Sequence, residues 1–203
     1  MTLYANYAAW TAGVRDWLDA DHLSDAEVQG FISLAQSRLN RELNAWEMEA
    51  TINRTAAAGV VTLPADFSRI RQVSVDGTGT YDASTKGEIA NRKAAGDETQ
   101  RLFAIDAGAI ILWPTLVDGT VVTIDYYVAV PQISGSVASN IFTLNYSDLM
   151  LWACLVEGSN YLVEDDRAQL FEGKYQVALN ASNQNPKKVK LGSTPLRRMI
   201  RMV

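Results

Sequence analysis

The sequence predicts an α+β protein: a four-helix bundle-like domain made by an N-terminal and a C-terminal helix pair, with a small antiparallel β region inserted between them and an extended C-terminal arm. Three observations carry this reading. Apolar residues recur at three- and four-residue steps over roughly the first quarter of the chain, the signature of an amphipathic helix. After Gly59 the period shortens toward two and β-branched and aromatic residues take over. From Tyr146 the helical period returns, and the chain ends in a basic, apolar ribbon. The expected boundaries are 1–58 and 144–182 for the helical domain, 59–143 for the β region and 183–203 for the arm.

The first helix is read in "NYAAWTAGVRDWLDA", where Trp10, Val14, Trp17 and Leu18 share one face and Asn6 stands as N-cap. The second opens at Ser24, with Glu27 three residues on, the spacing of a capping box. Behind it Val28, Ile32, Ala35, Leu39, Leu43 and Trp46 form a stripe, and Arg38, Arg41 and Glu42 mark the opposite side. Such a helix runs about 30 Å at ~1.5 Å per residue.

In the β region Val60 and Thr62 begin a strand that Pro64 ends, since proline cannot donate to a ladder. Ile70, Val73 and Val75 give a second strand. "RLFAIDAGAIILWP" reads as a hairpin turning at Asp106-Ala107-Gly108, and "DGTVVTIDYYVAVP" as a long strand. The polar piece "DASTKGEIANRKAAGDETQ" is expected to be a protruding loop. A third helix follows, capped by Ser147, with Leu149, Trp152, Ala153, Val156 and Leu162 at helical spacing. Gly158 inside it suggests close packing. A fourth starts at Asp165 or Asp166, with Leu170, Tyr175, Val177 and Ala178 turned inward.

Composition narrows the function. The single cysteine, Cys154, excludes an intrachain disulfide and a multi-cysteine zinc site, as expected of a soluble chain made in a reducing cytoplasm. No stretch approaches the ~20 apolar residues of a membrane span, and the N-terminus has no secretory signal pattern.

Catalytic groupings are scarce. His22 is the only histidine and sits between two predicted helices beside Asp19, Asp21 and Asp25, the setting of an exposed linker residue. Cys154 has apolar neighbours and reads as buried. Glu164 to Asp166 lack the glycine-turned loop of a cation site. "DGTGT" at Asp76 to Thr80 lacks the residues of a phosphate loop and reads as a hairpin turn. No catalytic, cofactor or metal residues are expected, and the chain is read as no enzyme.

The tail stands out. From Asn185 to Val203 it holds six Lys or Arg residues and no acid, which leaves 12 basic against 23 acidic residues before it. A body of that sign repels phosphates. Val189, Leu191, Leu196, Met199, Ile200, Met202 and Val203 add apolar anchors. Extended, about 18 residues reach roughly 60 Å at ~3.3 Å each. Two readings of it differ in class: an arm that grips a neighbouring protein subunit, or a nucleic-acid-binding tail. A third, a cell-wall hydrolase, finds no assembled set of acids.

The order of "RLNRELNAWEMEAT", "VTLPADFSRIRQV", "IILWP", "TVVTIDYYVAVPQIS" and "FTLNYSDLMLWACLVEGSNYLVEDDRAQLFEGKYQVAL" resembles the head-to-tail adaptor proteins of tailed phages, of the tail-tubular-protein-A type. The likeness covers about residues 20 to 180, and its most specific pieces are "LPADF", the "YY" strand ending in proline, and the "L…A…E…Y…DD…A" helix pair. It implies a structural virion protein at the head–tail interface, made in the host cytoplasm. Its implied partners are further copies of itself in a ring, typically of twelve, the portal protein, and the tail nozzle or tube. DNA would slide through the ring without specific binding, and no membrane is involved. The resemblance also implies an arm that clasps the portal, here Lys187, Lys188, Lys190, Leu191, Leu196, Arg197, Arg198, Met199, Ile200 and Arg201.

Overall fold

A computed structural model of the chain describes residues 3–191, with the side chains of 185–191 left aside. In chain order the elements are α1 (Tyr7–Leu18), α2 (Asp25–Glu42), a 3-10 turn (Trp46–Met48), β1 (Glu49–Thr55), β2 (Val60–Thr62), β3 (Phe67–Val75), β4 (Gly79–Ala83), α3 (Lys86–Ala95), β5 (Leu102–Asp106), β6 (Ala109–Trp113), β7 (Val121–Val128), α4 (Ile141–Asn145), α5 (Ser147–Tyr161) and α6 (Asp165–Leu191). They divide into two compact units, 1–47 with 130–203, and 48–129.

The predicted four-helix bundle with a small antiparallel insertion is not what forms. The chain is mixed α/β, with six helices among the described residues and a seven-stranded, nearly closed, barrel-like sheet. Nor does an extended arm start at 183, because α6 continues as helix to Leu191.

In the helical unit α5 is central. Leu149, Met150, Leu151, Ala153, Cys154, Leu155, Val156, Gly158 and Ser159 are all buried, which leaves the helix apolar nearly all round. Such a helix must be surrounded, and α1, α2, α4 and α6 pack on it. Asn6 caps α1 by accepting from Ala9 N, and the Ser24/Glu27 capping box of α2 is complete. The stripe Val28, Ile32, Ala35, Leu39 and Leu43 is wholly buried, but Trp46 lies past the helix end and is 62% exposed. Ser147 is the first residue of α5 rather than its cap. On α6 the buried positions are Ala168, Phe171, Tyr175 and Leu179, so Leu170 and Val177 face outward.

Gly158 makes the contact its position suggested. A Cβ built there would lie 2.4 Å from Leu18 Cδ1, and Leu18 is itself buried.

A second constraint is polar. The irregular segment Val130–Asn140 leads into α4, and its backbone is bonded by side chains of α2. Asn40 Oδ1 accepts from Val130 N at 2.8 Å while Asn40 Nδ2 donates to Val130 O at 3.0 Å. Gln36 is fully buried; its Oε1 accepts from Ile133 N (2.8 Å) and from Asn140 Nδ2 (2.9 Å). Gln132 exchanges bonds with Ser33 and Ser37.

In the second unit the strand order is β1-β7-β3-β4-β5-β6-β2, antiparallel except for the pair β4–β5. That parallel pair explains α3, because parallel neighbours need a crossover and a helix is the usual one. The stretch read as a protruding loop is this crossover. Thr85 caps it through Glu88 N, and Gly96 ends it at φ 66°. β5 and β6 are consequently covered on both faces. Phe103, Ile110 and Leu112 enter the main core with Val61, Val73, Val75, Tyr81, Val122, Ile124 and Tyr126, while Leu102, Ala104 and Trp113 pack with Ile89 of α3. Two-sided burial is why this hairpin is nearly continuously apolar in sequence.

Strand β1, placed with the helical region by the sequence reading, pairs with β7 over its whole length. The turn between β1 and β2 all but closes the sheet: Ala56 N donates to Thr120 O at 2.9 Å, and Leu112 N to Gly59 O at 3.0 Å.

Two outcomes follow from the helical unit. Gly158→Ala gains up to ~1 kcal/mol of helix propensity but displaces Leu18, and its net effect is a loss of about 1–3 kcal/mol, read from urea unfolding. Gln36→Leu leaves Ile133 N without its acceptor and Asn140 Nδ2 with only Pro131 O, and costs about 1–3 kcal/mol in the same measurement.

Candidate functional site

The sequence-flagged reactive residues are not brought together. His22 is exposed in the α1–α2 corner. Cys154 lies buried in α5, and burial pushes its thiol well above the usual range, which keeps it protonated and inert. Glu164 receives Arg167 at 2.7 Å, and the same guanidinium donates to Trp17 O (3.0 Å) and Leu18 O (3.1 Å). It therefore caps the C-terminal carbonyls of α1. Asp76 and Gly77 form the turn between β3 and β4. Among the described residues no group of three or more His, Cys, Asp or Glu is arranged to hold a metal ion, and no helix is long and apolar enough to cross a membrane.

The densest charged grouping joins α2 to α6 through Arg38 and Glu42, which the sequence reading placed opposite the apolar stripe. Arg38 makes two parallel bonds to Glu172, at 2.6 and 2.8 Å, and a third to Glu42 at 3.1 Å. Its guanidinium lies 4.1 Å from the centre of the Tyr175 ring, whose hydroxyl donates to Glu42 at 2.8 Å. The Arg38 bond holds the Glu172 carboxyl below the usual range, and burial pushes the Tyr175 hydroxyl up. Bidentate arginine–carboxylate pairing with a stacked ring is directional. With the buried row Ala168, Phe171, Tyr175 and Leu179 it holds the rotation of α6. At the other end of α2, Glu27 is held at about 2, first by Ser24 and then by the Tyr161 hydroxyl.

What α6 presents outward is an apolar ridge: Leu170 (56% exposed), Gly173, Val177 (73% exposed) and Ala181. Beside it runs a groove bordered by Trp152, Lys174 and Asp148, with the Lys174 ammonium 4.5 Å from the Trp152 ring centre. The outer face of α2 carries a matching row: Ala26, Gly30, Leu34 (55% exposed) and Arg41. Gly30 and Gly173 share an oddity. Each sits mid-helix, neither has a positive φ, and a Cβ at either would meet nothing within 4 Å. A mid-helix glycine costs ~1 kcal/mol against alanine, and nothing within this fold requires one at either place. The sequence reading missed these faces because it took Leu170 and Val177 as core.

Of the arm residues, Lys187, Lys188, Lys190 and Leu191 fall on the helical backbone at the end of α6. Leu196, Arg197, Arg198, Met199, Ile200 and Arg201 lie outside the described residues.

The geometry thus offers exposed apolar helix faces and opposed charges, the equipment of an assembly component. Comparison agrees: the family described as SU10 adaptor protein matches residues 5–198, nearly the whole chain and both units. The chain belongs to this family of phage head-to-tail adaptors, which is structural rather than catalytic. No curated protein matches it.

Acidification tests the charged groupings. A carboxyl held low in the folded state stabilises fully above its unfolded value of about 4.3. That contribution is lost as pH falls through the folded value, about 2 for Glu27. Melting temperature is expected to drop between about pH 4.5 and pH 2, and to drop less in the Glu27→Gln/Glu172→Gln double variant. An equally steep drop in that variant assigns the acid sensitivity to other groups.

Proposed function

We propose that this chain is a ring-forming adaptor of a phage virion, joining the portal of the filled head to the tail and forming part of the conduit through which DNA leaves. The observation that carries the reading is the adaptor-family match across residues 5–198. In this reading the helical unit builds the ring and the β unit meets tail components. The basic, apolar segment from Lys187 to Arg201 clasps the portal. Synthesis takes place in the host cytoplasm, and the ring, of about twelve copies by likeness to adaptors of other tailed phages, joins the virion afterwards.

Charge distribution supports the division of labour. Before Asn185 the chain carries 12 basic and 23 acidic residues, and all six cations of the last segment come after it. A conduit wall of like sign to DNA leaves it mobile, since every additional bond to a phosphate would tighten binding and deepen its salt dependence. A cationic, apolar segment can instead pair with carboxylates on a protein partner while its anchors are buried.

The experiment removes residues 192–203, which leaves every described helix whole. The shortened protein is expected to keep its melting temperature and to lose stable attachment to the portal protein of the same phage, measured by native mass spectrometry. Retained attachment contradicts the clasp. Tight DNA binding by the full-length chain, lost on truncation and weakened strongly between about 50 and 200 mM salt, points instead to a nucleic-acid-binding tail.

A further inference from the structure

We infer that the subunit contact of the assembly is an antiparallel pairing of two helices: the outer ridge of α6 on one copy against the outer row of α2 on the next. This rests on the ring reading above and names the surface that would make the ring.

The two unexplained glycines are the starting point. Gly30 and Gly173 each leave a bare stretch of helix backbone flanked by exposed apolar side chains, Ala26 and Leu34 on one, Leu170 and Val177 on the other. Absent side chains at a crossing let two helix axes approach closely. An occupant that is itself a helix with a glycine notch fits each face, and the chain carries one of each. The faces belong to different helices, so the contact is heterologous, and each copy keeps one free face of each kind for the next.

Charge selects the direction. With Gly30 over Gly173 in antiparallel register, Leu34 lies beside Leu170 and Ala26 beside Val177. Arg41 stands 11 residues from Gly30 and Asp166 seven from Gly173, a difference of about 6 Å along the axis at ~1.5 Å per residue, within reach of an arginine side chain. The α1–α2 corner, with Asp19 and Asp21 and with Asp25 paired to Arg15, runs toward the C-terminal end of α6, where the sequence is basic. Parallel register reverses both matches, setting Arg41 toward that basic end and Asp25 toward Asp165 and Asp166. Opposite charges at both ends occur only in the antiparallel arrangement.

Crosslinking tests this in the full-length protein, where buried Cys154 is the one native thiol. Leu34→Cys and Leu170→Cys are combined in one chain and treated with a short bismaleimide, alone at high concentration and with the portal protein of the same phage. The expected product is a ladder of covalent multimers, while an equal mixture of the two single variants stops at dimers. Single variants that crosslink to themselves would show a two-fold contact and overturn the proposal. So would a ring-sized assembly by native mass spectrometry that yields no ladder, although the ring reading would then stand. No assembly under either condition removes both.

As a second measurement, Gly30→Leu and Gly173→Leu fill open space in the monomer. Each is expected to leave the melting temperature undiminished and to weaken assembly at least tenfold. Assembly as strong as in the parent protein would overturn the pairing.

Discussion

Buried backbone has to find hydrogen-bond partners, and in this protein one helix supplies them for a segment that has no secondary structure of its own. The fully buried Gln36 amide takes the Ile133 N–H and the Asn140 side chain, and Asn40 takes both polar groups of Val130. Without these bonds the stretch from Val130 to Asn140 would carry unpaired groups into the helical unit, each costing about 1–3 kcal/mol. Around this constraint α2 is divided lengthwise. One side is apolar and faces α5, one carries the amides, and one carries Arg38 and Glu42 toward α6. The fourth side, with Ala26, Gly30 and Leu34, is left open.

That division explains what could be read from the sequence. Apolar spacing and capping chemistry are local, so α1, α2 and the buried stripe were legible, as was the β5–β6 hairpin from its turn and its continuous hydrophobicity. Gly158 was legible as a packing position because it lies inside a strongly apolar helix. Other features depend on partners far away in the chain. Strand β1 has the mixed sequence of an edge strand, with only Ala50 and Ile52 packed inward, and without knowledge of β7 it resembles a helix tail. Helix α3 buries just Ile89, so its periodicity is invisible, although Thr85 with Glu88 and Gly96 marked both of its ends. The parallel β4–β5 pair followed from that helix and was missed with it.

The outward faces were the least legible part of the site. Periodicity assigns every apolar helical residue to a core, and it cannot distinguish a core within the chain from one completed by a neighbour. Leu170 and Val177 became distinguishable only once the Arg38–Glu172 pair and the Tyr175 ring had set the rotation of α6. Partly exposed ionic pairs add little stability, but a bidentate arginine–carboxylate pair is directional. Here that direction helps settle which apolar residues of α6 stay exposed, Leu170 and Val177.

The division of the chain also orders its birth on the ribosome. The β unit is one unbroken segment, 48–129, whereas the helical unit needs both ends of the polypeptide. At ~5–20 residues per second the roughly 80 intervening residues take on the order of 4–16 s to emerge. Throughout that interval α1 and α2 lack α5, the helix that covers their apolar sides, which is made only after the β unit. All strands of the barrel-like sheet are thus synthesised before α5 and α6, so the sheet can close while the helical unit still lacks the helix at its centre.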